Sequence, residues 1–288
     1  MRIFDCFTFY NEFDILELRL AELWDTVDYF VICEANRTHQ NNSKPFYLKD
    51  NWGKFSQYHS KIRHVMLEDM PADTSDCWVR ERHQRRGIAK GLWDLQPDDL
   101  VCVSDCDEIP RPAALESIRE DTNGYDRYVL GIPLFYFRIN YLMVKPLTRQ
   151  RNIVVTRGKA FTDPQKEREY TFYKDNHPTV DLANNAVFLD HGGWHFTYFG
   201  NDEFAVNKLK NFAHAESNVP RIVDNVNVQY MTENKLGFTG FSSPERFEYV
   251  VLDDYFPKTI INNLEQYKHM IIPNATRSVY DFYPESMG

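Results

Sequence analysis

The sequence predicts an α/β fold with a Rossmann-like, mostly parallel central sheet flanked by helices. Three observations predict it. Short apolar runs rich in β-branched and aromatic residues alternate with segments of helical spacing from Ile3 to Arg119. Those runs are apolar at nearly every position, as in strands covered on both faces. The densest acidic segment directly follows one of them, and open parallel sheets bind ligands beyond the carboxyl ends of their strands.

Taken in order, Ile3 to Phe9 reads as a first strand, and Asp14 to Trp24 as a helix with apolar residues at 15, 16, 18, 20, 23 and 24. Val27 to Cys33 and Ile62 to Leu67 read as strands separated by a polar loop rich in Asn and Lys. Asp76 to Trp93 reads as one long amphipathic helix with clustered basic residues, and Leu100 to Ser104 as a fourth strand. Pro110 and Pro112 break that strand and open a helix through Arg119. The second half is less regular. Strand-like runs stand at Tyr128 to Phe137, Ile153 to Thr156, Val187 to Leu189 and Trp194 to Phe199, followed by a helix from Asp202 to Ala215. There is no linker, repeat or break in composition. The expectation is one domain over 1–288, with a nucleotide-sized ligand on 1–110, a second substrate on 111–218 and an extension over 219–288.

With 288 residues the chain is long enough for a substantial core. Its 33 Lys and Arg against 42 Asp and Glu give a net charge of −9, which repels a phosphate backbone and argues against a nucleic-acid partner. Cys6, Cys33, Cys77, Cys102 and Cys106 are odd in number and show no C-x-x-C spacing, so they read as reduced thiols and not as a zinc site. The opening MRIFDCFTFYNEFD carries acids where a signal peptide has an apolar run. The apolar stretch Tyr128 to Phe137 lies between Arg127 and Arg138 and falls well short of the ~20 residues needed to span a bilayer. The expectation is a cytoplasmic protein with no membrane span; the sequence carries no signal for oligomeric state.

Two segments carry chemistry. Ser104-Asp105-Cys106-Asp107-Glu108-Ile109-Pro110 puts three carboxylates into four positions at a strand end, where they repel unless a positive charge stands among them. Asp105 and Asp107, two apart in an extended segment, point the same way and suit one hard divalent ion. The preceding helix offers Arg80, Arg82, Arg85 and Arg86, a set suited to a diphosphate or to a solvated face paired with Glu81. Farther on, Asp190-His191-Gly192-Gly193-Trp194-His195-Phe196 supplies an indole face for a sugar ring and, at His195, a nitrogen for a metal or phosphate. A packed hairpin explains the same residues. Gly200-Asn201-Asp202-Glu203 then offers either an N-cap or a general base.

With these residues in view, the chain resembles glycosyltransferase family 17, the family of the bisecting β-1,4-N-acetylglucosaminyltransferase. The resemblance rests on Ile3-Phe4-Asp5-Cys6-Phe7 with Asn11-Glu12, Val31-Ile32-Cys33-Glu34-Ala35, Arg80-Glu81-Arg82-His83-Gln84-Arg85, the acidic strand end, Gly193-Trp194-His195-Phe196, and Phe212-Ala213-His214-Ala215-Glu216. It implies a GT-A fold and inverting transfer of a sugar, N-acetylglucosamine by family, from a UDP-sugar to a hydroxyl of a glycan acceptor. Carried over, Asp105 and Asp107 hold Mn²⁺ or Mg²⁺ with His195 beside them. Glu34 and Thr38 line the nucleoside pocket. Arg82 with Arg85 or Arg86 approaches the phosphates, and Trp194 and His195 meet the donor. The inverting mechanism also needs a base on the acceptor side, and the acids at the helix start after the Trp loop make Glu203 or Asp202 the first expectation, with Asp190 second. Two rival readings are a haloacid dehalogenase-type phosphatase, disfavoured because its D-x-D follows the first strand, and a non-catalytic carbohydrate-binding or scaffold protein of the same fold.

Overall fold

The computed structural model describes residues 1–145, 150–170, 180–181, 185–213, 218–238 and 245–284. The first half follows the expected alternation. Strands β1 (Ile3–Phe9), β2 (Tyr29–Ala35), β3 (Ile62–Leu67) and β4 (Leu100–Asp105) are parallel neighbours in the order β3-β2-β1-β4. Helix α1 (Phe13–Leu23) crosses over from β1 to β2 and buries Ile15, Leu16, Leu18, Leu20 and Leu23 on one stripe. A short helix, α2 (Tyr47–Asp50), follows β2.

The predicted helix over 76–93 divides in two. Helix α3 (Cys77–Gly87) starts at Asp76, whose side chain accepts the Trp78 N–H, and a 3-10 turn, Ile88–Gly91, follows it. A Cβ on Gly91 would lie 2.4 Å from Val31 Cγ1, so glycine lets this turn lie directly on the sheet.

The second half departs from a parallel sheet. After β5 (Glu108–Pro110) and α4 (Pro112–Glu120), the run 128–137 forms two strands, β6 (Arg127–Ile132) and β7 (Leu134–Tyr136), in different sheets. Pro133 stands between them, where a missing N–H interrupts any ladder. The next strands are β8 (Tyr141–Lys145) and β9 (Gln150–Arg157), and β9 is antiparallel to both β4 and β6. Helix α5 (Pro164–Tyr170), β10 (Val180–Asp181), β11 (Ala186–Leu189) and β12 (Gly193–Thr197) come next. The predicted helix over 202–215 is α6 (Asp202–Asn211).

Among the described residues, one sheet has eight strands ordered β10-β11-β6-β9-β4-β1-β2-β3. A second, ordered β13-β8-β7-β12-β5, is closed at one edge by β13 (Arg246–Tyr249). One apolar core joins both sheets, from Phe7 and Ile32 to Phe135, Trp194 and Phe196. Residues 245–284 pack into the same body through Val250, Tyr255 and Phe256, with Asn140 Nδ2 donating to the carbonyls of Val250 and Ile272. The five cysteines are buried free thiols. Among the described residues no helix is long and apolar enough to cross a membrane.

Register sets the working end of the fold. Thr8 of β1 pairs with Asp105 of β4, and Phe9 of β1 with Glu34 of β2, so these three strands end level with one another. Chain order reverses between β1 and β4, and a crevice opens beyond such a point.

Candidate functional site

A cavity of about 400 Å³ opens at that crevice, lined by the end of β1, the loop after β2, α3, the β4-β5 turn, α5, β12 and α6. The acidic turn is its floor, and Arg19 of α1, fully buried, holds that turn from below. Arg19 forks onto Asp5 through Nε to Oδ2 at 2.7 Å and Nη2 to Oδ1 at 2.6 Å. It also donates to the carbonyls of Asp105, Cys106 and Glu108 and to Ser104 Oγ. Two carboxylates of the turn therefore project into the cleft while its carbonyls point down to one guanidinium.

Each of these two aspartates meets two cationic side chains. Asp105 accepts from Arg85 of α3 at 2.9 Å and from Arg168 of α5 at 2.7 Å. Arg168 also grips both oxygens of the buried Glu108. Asp107 accepts from Lys208 Nζ of α6 at 2.6 Å, with His195 Nε2 at 3.5 Å. Burial alone would raise both aspartates' pKa values. The attraction of Arg168 and Arg85 for Asp105, and of Lys208 and His195 for Asp107, outweighs it and holds both well below the ordinary carboxylate range. For Lys208, burial acts to lower the pKa, but Asp107 and Glu12 raise it above its ordinary value.

His195 reaches this place because β12 runs antiparallel to β5, pairing His195 with Glu108 and Trp194 with Ile109. A Cβ on Gly193 would come within 2.3 Å of the Ile109 carbonyl oxygen, so glycine permits the close pairing at the start of β12.

The structure gathers Thr38, Arg85, Asp105, Asp107 and His195 around the cavity and places the other candidates elsewhere. Glu34 is fully buried below the loop, where it accepts from the Leu48 backbone N–H and meets Lys44 and His64. Arg82 reaches Asp76 and Arg86 reaches Asp163, both on the open side of α3. Trp194 is a core side chain: its Nε1–H donates to the Tyr255 carbonyl at 2.9 Å and Arg111 lies 4.6 Å over its ring. Asp190 accepts from the His191 N–H, outside the cavity lining. Asp202 accepts from the Val228 N–H, at the start of α7 (Val228–Glu233), and Glu203 is exposed. Asn201 is the N-cap, its Oδ1 accepting the Phe204 N–H. His214, Ala215 and Glu216 of the last quoted motif lie outside the described residues.

The resemblance implies a divalent ion on Asp105 and Asp107. These carboxylates do not fit one as they stand, because an ion would have to displace Lys208 from Asp107 and the Arg85 and Arg168 pair from Asp105. Among the described residues no group of three His, Cys, Asp or Glu side chains forms an ion-holding cluster.

Sequence reasoning missed Lys208, Arg168 and Asn152, which reach the cavity from α6, α5 and β9. It also missed His39 and Gln84, hydrogen-bonded to each other at 2.9 Å on the cavity wall. Burial keeps the His39 pKa below its ordinary value. Gln84 carried a signal, since it lies inside the quoted α3 motif. Lys208 and Arg168 carried none beyond their charge.

A family model for glycosyltransferase family 17 matches residues 1–278. The chain is 32% identical over 117 residues to the beta-1,4-mannosyl-glycoprotein 4-beta-N-acetylglucosaminyltransferase of Rattus norvegicus, and equally to that of Homo sapiens. Each match covers 38% of this chain and 22% of the relative's length. Among solved structures, the inositol-1-phosphate CTP transferase from T. maritima aligns with a TM-score of 0.34 at 10% identity, over 66% of this chain and 85% of that one.

Proposed function

The chain belongs to glycosyltransferase family 17, and on that premise we propose that it transfers N-acetylglucosamine from a UDP-sugar to a hydroxyl of a glycan acceptor, with inversion, on a GT-A-type fold. The observation that carries this reading is the acidic β4-β5 turn at the floor of an open cleft, surrounded by Arg85, Arg168, Lys208 and His195. A nucleotide-sugar diphosphate needs clustered donors where its charge grows during bond breaking. Trp78, Thr38 and Gln84, on the wall formed by α3 and the loop after β2, suit the nucleoside end. The activity for which these relatives are named supports N-acetylglucosamine as the sugar and a mannose-containing glycan as the acceptor.

In this reading the acceptor oxygen attacks the anomeric carbon from the face opposite the diphosphate, and UDP departs beside Lys208. Metal dependence enters only if an ion displaces Lys208, so the reaction as proposed runs on the chain's own cations. A reducing compartment such as the cytoplasm belongs to the same proposal, on the five buried thiols. The test is calorimetric binding of a panel of UDP- and GDP-sugars. Selective binding of UDP-N-acetylglucosamine, weakened in Lys208→Ala, is the expected result. Binding of no nucleotide sugar would overturn the reading in favour of a carbohydrate-binding protein.

A further inference from the structure

An inverting transfer needs a carboxylate that reaches the donor cleft on one side and the acceptor hydroxyl on the other. A second cavity of about 390 Å³ lies beside the first, and Glu12 lines both. Its carboxylate is held by the backbone, Oε2 accepting the N–H groups of Tyr10 at 3.1 Å and Asn11 at 3.0 Å. The other oxygen, Oε1, lies 3.9 Å from Lys208 Nζ, the group that also grips Asp107. Glu12 thus shares Lys208 with Asp107 at the longer distance, whereas the remaining acids of the donor cleft are held in closer ion pairs: Glu81 by Arg85, Asp105 and Glu108 by Arg168, Asp107 by Lys208 and His195.

The second cavity has the chemistry of a sugar site. Phe13 and Phe204 offer apolar faces, and Asn11, Arg138 and His269 offer polar groups. Among the described residues the buried Asn11 Oδ1 has no hydrogen-bond partner, which leaves an acceptor for a hydroxyl. Its volume lies within the ~300–1,000 Å³ usual for small-molecule sites.

We propose that Glu12 is the catalytic base and that this second cavity binds the acceptor sugar. The inference rests on the nucleotide-sugar reading above. The acceptor hydroxyl gives its proton to Glu12 Oε1 while its oxygen bonds to the anomeric carbon. The bond from that carbon to the diphosphate oxygen breaks, and its electron pair leaves with UDP, whose added negative charge lies beside Lys208.

The test uses the full chain with three readouts: calorimetric binding of UDP-N-acetylglucosamine, its slow hydrolysis with water as acceptor, and UDP release on adding methyl β-mannoside, methyl β-galactoside or methyl β-N-acetylglucosaminide. Glu12→Gln keeps an oxygen for the two backbone amides. It should lower hydrolysis and transfer by about 100-fold or more, with donor affinity within about threefold, while Glu203→Gln leaves all three unchanged. Phe204→Ala should raise the KM of whichever glycoside accelerates UDP release and leave hydrolysis alone. Glu12→Gln retaining more than a tenth of the wild-type rate would overturn the base assignment, and no glycoside accelerating release would overturn the acceptor cavity. If the wild type binds no UDP-sugar, the underlying reading fails and this inference falls with it.

Discussion

Lys208 Nζ lies 2.6 Å from Asp107 Oδ2 and 3.9 Å from Glu12 Oε1, so one ammonium group from α6 bridges the acidic turn and the N-cap residue of α1. This places a fixed positive charge at the mouth of the D-x-D turn, where a diphosphate or a divalent ion would otherwise be the cation's partner or its substitute. Lys208→Ala should weaken UDP binding by about 10-fold or more, the cost of losing a charged hydrogen bond. Chelation with EDTA should leave wild-type UDP binding within about threefold, and added Mn²⁺ should bind Lys208→Ala more tightly than wild type because Asp107 is released. Calorimetry checks all three. Wild-type UDP binding that disappears in EDTA would show that Lys208 does not act as the resident cation.

Arg19 and Asp5 form a fully buried pair beneath the same turn. Arg19→Met leaves the Asp5 carboxylate buried without its partner, and breaking such a pair costs about 3–5 kcal/mol. Urea unfolding should register that loss. The double change Asp5→Leu with Arg19→Met should recover much of it, because no unpaired charge remains. UDP affinity should stay low in the double variant, since the carbonyls of Asp105, Cys106 and Glu108 still lack their donor.

The β1-α1-β2 unit and β4 were legible because their signals are local: apolar runs, helical spacing and an acidic stop at Asp105. The run 128–137 reads as one strand although Pro133 interrupts it, and the two sheets that meet there depend on pairings far along the chain, β6 with β9 and β7 with β12. At the site, the turn and His195 were legible as types of residue in context. Arg168 and Lys208 were not, because a lone cation on a helix looks like a solvated charge until folding sets it against a particular carboxylate. Trp194 and Glu34 mislead for the opposite reason. Both sit beside quoted motifs, and both are spent internally, one on the Tyr255 carbonyl and one on the Leu48 N–H.

Acid should lower the stability over two separate ranges of pH. Burial lowers the His39 pKa below its ordinary 6.5, so the unfolded chain binds more protons there. That contribution is complete above about pH 6.5 and is lost as pH falls through the depressed folded value. Asp105 and Asp107 are held below their ordinary 3.8 by their cations, so their contribution is complete above about pH 4 and is lost at lower pH. Urea midpoints measured across this range should show a shallow upper limb that His39→Gln removes and a steep lower limb that Asp107→Asn reduces. A flat wild-type profile between pH 7 and 5 would contradict the assignment to His39.

Trp194 separates packing from binding. Its indole is buried, donates to the Tyr255 carbonyl at 2.9 Å and lies beneath Arg111. Trp194→Phe keeps one aromatic ring but empties the space of the pyrrole part and removes one of the two donors to that carbonyl, the other being Arg111 Nη2 at 2.9 Å, a loss of about 0.5–1.5 kcal/mol for the hydrogen bond with the cost of the cavity added to it. His195 is held against Asp107 by the backbone pairing of β12 with β5, which the substitution does not touch. The variant should therefore unfold at lower urea concentration while binding UDP-N-acetylglucosamine within about twofold of wild type. A tenfold loss of nucleotide-sugar affinity at unchanged stability would return the indole to the donor site and require the cleft to extend behind β12.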